Sequence, residues 1–230
     1  CDYIINTAAE THVGNSISNS DDFVHSNIDG THHLLELLRN YRQETAKTPT
    51  LIHFSTDEVY GDIETGAHTE SDLLKPSNPY SATKAAADML ILAWARTHNI
   101  PYVIVRPTNN YGIGQYVEKL IPKSCKYLSL GRKIPLHNKG LPVRNWLHAE
   151  DTANAVIKII EADVTNEIYN ISGNYEEQNI IVAMQIIDMF FPTVVDPDDY
   201  LDLSITRPGQ DVRYSIDDTK LKALGWKPEA

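Results

Sequence analysis

The sequence predicts an α/β protein built on a doubly wound parallel sheet, followed by a smaller and more irregular C-terminal lobe. Its first half alternates short apolar runs with long helical patterns, in the order strand, helix, strand, helix, strand. Beyond residue 112 the elements become short and are interrupted by Pro and Gly. Strands joined by helices in this way pair in parallel, and the helices cover both faces of the sheet.

Local patterns define the individual elements. Apolar, β-rich runs predict strands, whereas amphipathic spacing or an Ala-rich composition predicts helices. The predicted strands are residues 2–9, 50–55, 101–107 and 168–172. The predicted helices are residues 23–44, 79–99, 148–162, 179–191 and 217–226. Asp21 or Asp22 is expected to cap the first helix, and Pro79 is expected near the start of the second.

Composition excludes several classes of function. The chain has 230 residues, 42% of them hydrophobic, which is sufficient for one large domain or for one domain with a smaller lobe. Its net charge of −11 argues against a nucleic-acid-binding surface. An apolar run of about 18 residues does not occur, so no membrane-spanning helix is expected. Cys1 and Cys125 stand in no metal-ligand spacing, and a reduced, cytoplasmic protein without a metal site is predicted.

The stretch STDEVYG, residues 55–61, gives the first functional hypothesis. It follows the predicted strand 50–55, so Thr56, Asp57 and Glu58 are expected at the C-terminal end of a buried parallel strand. Ligands of open α/β sheets bind outside these strand ends. Two adjacent carboxylates can divide acid and base work, because like charges at close range push their pKa values apart. A solvated acidic loop is the alternative, and it is the commoner explanation for an isolated acidic pair.

A second motif, YSATK at residues 80–84, places Tyr80 and Lys84 on one face of the predicted helix 79–99. A lysine ammonium beside a phenol favours the phenolate and lowers the phenol pKa, so the tyrosine can act as an acid or a base. Taken alone, the pair also fits a surface lysine whose stem packs on a tyrosine ring. In a βαβ arrangement, the hydroxyl of Thr56 and these two side chains fit one reaction centre.

These residues carry a resemblance to known proteins. Thr56, Tyr80 and Lys84 match the catalytic set of the extended short-chain dehydrogenase/reductase superfamily, which has a Rossmann-type sheet. Further stretches resemble, in order and spacing, the dTDP-glucose 4,6-dehydratase family: TAAETHVGNSI, SNIDGTHHLLE, STDEVYGD, NPYSATKAAAD, NNYG, VRNWLHAEDTANA and RPGQDVRY. The resemblance extends over nearly the whole chain. Its most specific element is the triplet at 56–58, which related epimerases and decarboxylases lack.

The resemblance implies an NAD-dependent lyase that acts on a nucleoside-diphosphate glucose, with dTDP-glucose as the first expectation. Tyr80 would be the base while NAD oxidises the sugar at C4, and Thr56 would hold the C4 oxygen. Glu58 would then remove the C5 proton, and a protonated Asp57 would donate to the departing C6 hydroxyl. The hydride would return from NADH to C6, which gives a 4-keto-6-deoxy sugar nucleotide.

The resemblance also implies further binding residues. On the cofactor side these are Ala8, Ala9, Glu10, Ser26, Tyr80, Lys84 and Asn110. On the substrate side they are His12, Thr56, Asn109, Lys119, Leu120, Pro135, Leu136, His137, Arg144, Arg207, Gln210 and Asp211. Arg144 and Arg207 are expected to hold the diphosphate, because guanidinium groups form bidentate bonds with phosphate oxygens. Each cation taken alone also fits a solvated surface charge.

Domain organisation follows from the same resemblance. Residues 1–112, with a return of helix 148–162, are expected to form the NAD-binding domain, and residues 113–230 the substrate lobe. The family's Gly-rich turn after its first strand does not occur in this sequence, so the sheet is expected to be incomplete at its N-terminus. The isolated chain is accordingly predicted to bind NAD poorly and to be inactive. A homodimer formed through helices 23–44 and 79–99 is expected.

Three alternatives remain open. Departures from the family pattern at substrate-side positions, such as Gly14, Asn15 and Gln210, leave a UDP-glucose 4,6-dehydratase as the nearest one. A sugar-nucleotide 4-epimerase or decarboxylase of the same superfamily is disfavoured by the triplet at 56–58, since an epimerase needs no second acid–base pair. A non-catalytic NAD-sensing protein on the same fold is disfavoured because all the predicted catalytic residues are present.

Overall fold

The computed structural model describes residues 1–173, 175–191, 193 and 195–229. Its strands are β1 (Tyr3–Asn6), β2 (Thr50–Phe54), β3 (Tyr102–Pro107), β4 (Asn109–Tyr111), β5 (Ile134–Pro135), β6 (Val143–His148), β7 (Glu167–Ile171), β8 (Tyr175–Gln178) and β9 (Leu201–Asp202). Its α-helices are α1 (Val13–Ser18), α2 (Asp21–Phe23), α3 (Gly30–Thr45), α4 (Pro79–His98), α5 (Leu120–Ser129), α6 (Ala149–Glu161), α7 (Asn179–Phe190) and α8 (Thr219–Lys222). A π-helix spans Val24–Asp29, and short 3₁₀ helices span Asp57–Tyr60, His137–Gly140 and Pro197–Asp199.

The predicted parallel sheet is confirmed. Strands β1, β2, β3 and β7 lie side by side in this order, and each neighbouring pair is parallel. Successive residues of β2 face opposite sides of the sheet, as strand geometry requires. Leu51 packs with Leu35 of α3 and Ile91 of α4, whereas Ile52 packs with Ala155 of α6. Helices therefore cover both faces, which makes the sheet doubly wound.

The first long helix differs from the prediction. A continuous helix over 23–44 was expected, but α2 is a single turn that passes into the π-helix before α3 begins. The N-cap is Ser20, without a side-chain capping bond, so neither Asp21 nor Asp22 caps the helix. Asn27 in the π-helix is buried, and its side-chain amide donates to Glu10 O and to Thr83 Oγ1. These partners are remote in sequence, so local spacing carries no sign of the π-turn.

Other element boundaries also differ. β1 ends at Asn6 because the chain turns into α1, where His12 Nδ1 accepts the N–H of Asn15. The predicted helix 217–226 is the short α8, preceded by Asp217, whose carboxylate accepts the N–H of Thr219 at 2.8 Å. Helix α5 was not predicted, because Pro122 interrupts its pattern. Pro is tolerated there because it stands in the first helical turn.

The start of α4 agrees closely with the sequence. Pro79 occupies the first helical position, and Asn78 caps the helix by accepting the N–H of Ser81. The Ser81 hydroxyl completes a reciprocal capping box with Asn78. Tyr80 and Lys84 are thereby fixed in the first turns of a rigid helix.

The C-terminal lobe is built on small sheets and two helices. β4 and β6 are parallel, β8 pairs with β6 in the antiparallel sense, and β5 pairs with β9. Helices α5 and α7 enclose a separate apolar cluster that includes Leu128, Leu136 and Ile187. The predicted substrate lobe 113–230 nevertheless contains segments that pack in the core of the parallel sheet, namely β7 and the region of Leu221 and Trp226. In the described part of the chain, no helix has the length and apolar character needed to cross a membrane.

A fully buried ion pair connects four elements around the sheet. Arg106 of β3 donates through Nε and Nη2 to Oδ2 of Asp88 on α4, at 3.0 and 2.9 Å. Its Nη1 donates to the hydroxyl of Tyr60, and Tyr60 donates to Oδ1 of Asn170 on β7, at 2.7 and 2.8 Å. Arg106 and Asp88 are 1% and 0% exposed. This Arg106 cluster (Arg106, Asp88, Tyr60, Asn170) holds β3, α4, the 3₁₀ turn after β2, and β7 together.

Replacing Arg106 by Met is expected to lower the free energy of unfolding by about 3–5 kcal/mol, because Asp88 would remain as an unpaired buried charge. Lys158→Met is the matched control, since the ion pair of Lys158 with Glu161 is largely exposed to solvent. That control should lose less than about 1 kcal/mol. Urea unfolding followed by circular dichroism measures both values, and equal losses in the two variants would contradict this role of the ion pair.

Candidate active site

A cavity of about 590 Å³ lies at the C-terminal ends of β2 and β3. Phe54 and Ser55 bring the end of β2 to its wall, and Pro107 and Thr108 bring the end of β3. The remaining wall comes from the loop after β1, from the turn that follows β2, from the first turns of α4, and from the C-terminal lobe. This is the edge at which open parallel sheets bind their ligands.

Most of the predicted site residues line this cavity. They are Ala9, His12, Thr56, Asp57, Glu58, Tyr80, Lys84, Asn109, Asn110, Lys119, Leu120, Pro135, Leu136, His137, Arg144, Arg207 and Gln210. The structure thus brings together side chains that are spread over slightly more than 200 positions of the sequence, from Ala9 to Gln210. Sequence reasoning missed other lining residues, including Thr11, Gln115, Lys123, Trp146 and Asn179. Lys123 lies one helical turn after Lys119 on α5, so recognition of that helix would have indicated it.

Three residues predicted on the cofactor side do not line the cavity. Ala8 and Ser26 are exposed, Ser26 on the π-helix. Glu10 is exposed as well, but its backbone N–H and C=O are both bonded to the Asn27 side chain, at 2.9 and 3.0 Å. The loop after β1 is thus fixed by Asn27, and Ala9 is the member of the predicted Ala8–Glu10 run that reaches the cavity wall.

Asp211, which was predicted to bind substrate, also lies outside the cavity lining. Its side chain is buried, and Oδ2 accepts hydrogen bonds from the hydroxyls of Ser77 and Tyr214. Its neighbour Gln210 does line the cavity and donates from Nε2 to the Asp211 carbonyl at 3.1 Å. Gln210 and Asp211, adjacent in the motif RPGQD, therefore face different sides of the cavity wall.

The turn that carries the two carboxylates is shaped by its flanking residues. Thr56 caps the 3₁₀ helix by accepting the N–H of Glu58 on Oγ1 at 3.3 Å. Gly61 ends the turn at a φ of 83°, and a Cβ there would meet the carbonyl oxygen of Lys75 at 2.3 Å. Only glycine fits this backbone, which explains the last residue of STDEVYG. The turn thus projects two consecutive carboxylates from the end of a buried strand.

The two carboxylates have different surroundings. Asp57 is 2% exposed, accepts a hydrogen bond from Thr56 Oγ1 at 3.1 Å, and has no partner for Oδ2 among the described residues. Burial, and secondly the charge of Glu58, raise the pKa of Asp57 to about 7. Glu58 Oε2, by contrast, accepts from Asn78 Nδ2 at 3.2 Å and lies 3.3 Å from the hydroxyl of Tyr214. The pKa of Asp57 is thus raised, as predicted for one member of the pair. Burial contributes more to this shift than the charge of Glu58 does.

The prediction that Lys84 lowers the pKa of the Tyr80 phenol is wrong. Burial, followed by the charges of Glu58 and Asp57, raises the pKa of the Tyr80 phenol. Lys84 donates from Nζ to the carbonyl of Phe54 at 2.7 Å, and burial lowers the pKa of this ammonium to about 8. The phenol is hydrogen-bonded to Thr56, so the hydroxyl pair that the sequence predicted is present.

Four basic side chains of the C-terminal lobe line the cavity: Lys119, Lys123, Arg144 and Arg207. The Arg144 guanidinium lies 4.2 Å from the centre of the Tyr214 ring and donates to the carbonyl groups of Val143 and Asp211. Arg207 has a buried Nε without a partner among the described residues, and burial lowers the pKa of its guanidinium. Unpartnered buried donors of this kind fit an anionic ligand.

The histidines and carboxylates form no metal centre in the part of the chain that the structure describes. No group of three or more His, Cys, Asp or Glu side chains stands close enough there to hold an ion. His12 caps α1, and burial lowers the pKa values of His12 and His137. Both rings therefore serve as neutral wall residues of the cavity near neutral pH.

Comparison with known proteins gives consistent matches. The family model described as GDP-mannose 4,6 dehydratase matches residues 1–230. The dTDP-glucose 4,6-dehydratase of Haemophilus influenzae is 41% identical over 242 residues, which cover 99% of this chain and 72% of that protein. The trifunctional UDP-glucose 4,6-dehydratase/UDP-4-keto-6-deoxy-D-glucose 3,5-epimerase/UDP-4-keto-L-rhamnose-reductase RHM3 of Arabidopsis thaliana is 43% identical over 229 residues, covering 98% of this chain and 33% of that protein.

A solved structure agrees with these relatives. The crystal structure of DesIV, a dTDP-glucose 4,6-dehydratase from Streptomyces venezuelae with NAD and TYD bound, superposes with a TM-score of 0.92 at 35% identity. The superposition covers 100% of this chain and 69% of that chain. The Rossmann-type sheet and the resemblance carried by STDEVYG and YSATK are thereby confirmed. The chain belongs to the GDP-mannose 4,6 dehydratase family of sugar-nucleotide-modifying enzymes.

Proposed function

We propose that this protein catalyses the NAD-dependent dehydration of a nucleoside-diphosphate glucose, dTDP-glucose in the first instance, to the 4-keto-6-deoxy sugar nucleotide. The observation that carries the proposal is the unequal pair of carboxylates, Asp57 and Glu58, beside Tyr80 and Thr56 in one cavity. A reaction that only inverts a sugar carbon through a ketone needs the tyrosine but not this pair. The dehydratases among the similar proteins support the same conclusion.

The cavity fits NAD on its sheet side. Lys84 has three N–H groups, of which the Phe54 carbonyl accepts one, so donors remain for the hydroxyls of a ribose. Ala9 adds a small side chain at the cavity wall, and Asn110 lies there with its amide oxygen held by Thr152 Oγ1 at 2.6 Å. When bound, NAD would supply the hydride acceptor at C4, the hydride donor at C6, and a positive charge that favours ionisation of Tyr80.

The opposite side of the cavity fits a nucleoside diphosphate. Arg144 and Arg207 provide guanidinium groups suited to phosphate oxygens, and Lys119 and Lys123 add point charges. Lys119 is held in place because Nζ donates to the carbonyl and hydroxyl of Thr11, at 3.0 and 2.9 Å. This local concentration of cations in a chain of net charge −11 supports an anionic substrate.

The side chains of the site divide the chemistry among them. Thr56 and Tyr80 would hold the C4 oxygen, and Tyr80 would take the proton of the C4 hydroxyl. Glu58 would remove the C5 proton, which the C4 ketone acidifies, and its carboxylate is positioned for this by Asn78 and Tyr214. Asp57, whose pKa is raised to about 7, would donate its proton to the departing C6 hydroxyl.

UDP-glucose is the second candidate substrate. The similarity to RHM3, whose name includes a UDP-glucose 4,6-dehydratase, favours it as much as the bacterial relative favours dTDP-glucose. The proposed chemistry is identical for both, since the reacting atoms belong to the glucose. Discrimination would depend on the walls that face the base, to which Pro135, Leu136 and His137 are assigned.

A homodimer through α3 and α4 also belongs to the proposal. Leu37 and Tyr41 stand one turn apart on α3 and are 62% and 42% exposed, and Met89 on α4 is 48% exposed. Apolar side chains on two long neighbouring helices suit a four-helix contact with a second copy. For the domain organisation, we likewise propose that residues 1–112 form the part that binds NAD and residues 113–230 the part that binds the substrate.

Glu58→Gln should abolish the loss of water from the sugar nucleotide. The amide cannot take the C5 proton, and removal of a general base typically costs about 10²–10⁴-fold in rate. Because the isolated 230-residue chain is predicted to be inactive, the assay uses a protein in which the Gly-rich segment that this sequence lacks is supplied, incubated with NAD and either dTDP-glucose or UDP-glucose, and mass spectrometry follows the nucleotide sugar. Loss of one water from one substrate identifies the nucleotide that is used.

Glu161→Gln on the exposed end of α6 is the matched control and should react like the wild type. A product of unchanged mass but altered sugar configuration would mean an epimerase and would overturn the role of Glu58. Unreduced water loss in Glu58→Gln would overturn the same role within a dehydratase.

Asp57→Asn should become more stable relative to the wild type as pH rises. Folding raises the pKa of Asp57 from 3.8 to about 7, so the folded state retains a proton that the unfolded chain releases in this range. The free energy of unfolding of the wild type consequently falls by roughly 3 kcal/mol between about pH 5 and pH 8 through this group, and the variant lacks this loss. Urea unfolding at both pH values measures the difference.

The matched control for this measurement is Asp188→Asn, at an exposed position on α7. It should show no comparable gain at the higher pH. If Asp57→Asn gained no stability over the same interval, Asp57 would be ionised in the folded protein and could not serve as the acid.

A further inference from the structure

A chain of hydrogen-bonding groups leads from Glu58 away from the cavity. The hydroxyl of Tyr214 lies 3.3 Å from Glu58 Oε2 and is also hydrogen-bonded to Asp211 Oδ2. The same oxygen of Asp211 accepts from the hydroxyl of Ser77. Tyr214 and Asp211 are buried, whereas Ser77 is exposed. The sequence of groups Glu58, Tyr214, Asp211 and Ser77 therefore connects the cavity wall with solvent.

The middle of this chain is held firmly. The Arg144 guanidinium lies over the Tyr214 ring, and its Nη2 donates to the Asp211 carbonyl at 3.2 Å. Gln210 donates to the same carbonyl. These contacts fix the phenol between two carboxylates, a position that a merely packed tyrosine does not need. A phenol carries one proton, so Tyr214 can donate to only one carboxylate at a time and must accept from, or repel, the other.

We propose that Tyr214 and Asp211 are positioning residues that relay protons between Glu58 and solvent at Ser77. This inference rests on the proposed function, in which Glu58 takes the C5 proton. A substrate that fills the cavity separates Glu58 from water on the cavity side. The path through Tyr214 lies behind the wall and stays available while substrate is bound.

The relay is balanced in atoms and charge. The C5–H bond breaks, and its proton binds to Glu58 while the electron pair remains with the sugar. Protonated Glu58 then donates to the Tyr214 oxygen as Tyr214 gives its own proton to Asp211, which leaves Glu58 ionised and Asp211 neutral. Asp211 passes a proton to the Ser77 oxygen as Ser77 releases its own to water. The reverse sequence returns a solvent proton to Glu58 and from there to C5.

The consequence concerns the origin of the hydrogen at C5 in the product. Without the relay, Glu58 can still return to C5 the proton that it removed, so turnover continues. With the relay, that proton exchanges with solvent before it is returned. The relay therefore affects solvent exchange at C5 independently of turnover. A residue that only supports the fold would change turnover without changing the fraction of C5 hydrogen that exchanges with solvent.

The experiment uses the same protein, with the Gly-rich segment supplied, and runs the reaction in D₂O with NAD and the accepted sugar nucleotide, with borohydride reduction of the ketone to prevent later exchange. Deuterium at C5 is measured by mass spectrometry and NMR, together with kcat and KM. The wild type should carry solvent deuterium at C5. Tyr214→Phe and Asp211→Asn should each lower this fraction at least about tenfold, because positioned proton transfer contributes about 10² or more. Their KM values should stay close to that of the wild type.

Tyr3→Phe is the matched control, since it removes a tyrosine hydroxyl that also lies 3.3 Å from a carboxylate, Asp163 Oδ1, outside the cavity. It should leave both exchange and turnover unchanged. Full C5 exchange in folded Tyr214→Phe or Asp211→Asn, whatever their kcat, overturns the relay alone. If Tyr214→Phe fails to fold, Asp211→Asn decides, because it keeps the size of the side chain. Absence of dehydrated product in the wild type overturns the proposed function instead, and the relay with it.

Discussion

The buried ion pair between Arg106 and Asp88 is the interaction on which the arrangement of the site depends. Arg106 stands near the end of β3, and Asp88 stands one helical turn beyond Lys84 on α4. Through Tyr60, the same guanidinium reaches the 3₁₀ turn that carries Asp57 and Glu58. A displacement of the turn against the helix would unpair buried charges, which is costly in a medium that screens them poorly. Asp57, Glu58 and Tyr80 are therefore held in one relative position.

This rigidity explains how neighbouring acids come to differ. Asp57 and Glu58 are consecutive, so sequence spacing gives them equal status. The fixed turn buries Asp57 and directs Glu58 to the donors Asn78 and Tyr214. Burial without a full set of donors favours the neutral form of Asp57. The proposed division of acid and base roles thus rests on packing around the turn, which the ion pair supports.

The sequence was sufficient to predict the parallel sheet, the strand-end position of residues 56–58 and the shared helix face of Tyr80 and Lys84. These features depend on local spacing, which a single sequence displays. Asn27 and Tyr214 escaped prediction because their partners are remote: Tyr214 meets Glu58 across 156 positions. The raised pKa of Tyr80 escaped it for a related reason, since burial and the charges of Glu58 and Asp57 arise only when strand end and helix meet. The same holds for Asp211. Its motif predicts that the residue lies near the site, but not that its side chain points away from the cavity.

The surroundings of Tyr80 determine how the ionisation of its phenol would respond to bound ligands. Burial, followed by the charges of Glu58 and Asp57, raises the pKa of the Tyr80 phenol, and Lys84 is directed to a backbone carbonyl rather than to the phenol. A cation placed beside Tyr80 would oppose those carboxylates and favour the phenolate, and a sugar that covers Glu58 would remove water from the same space. Under the proposed function, ionisation of Tyr80 would therefore depend on both cofactor and substrate.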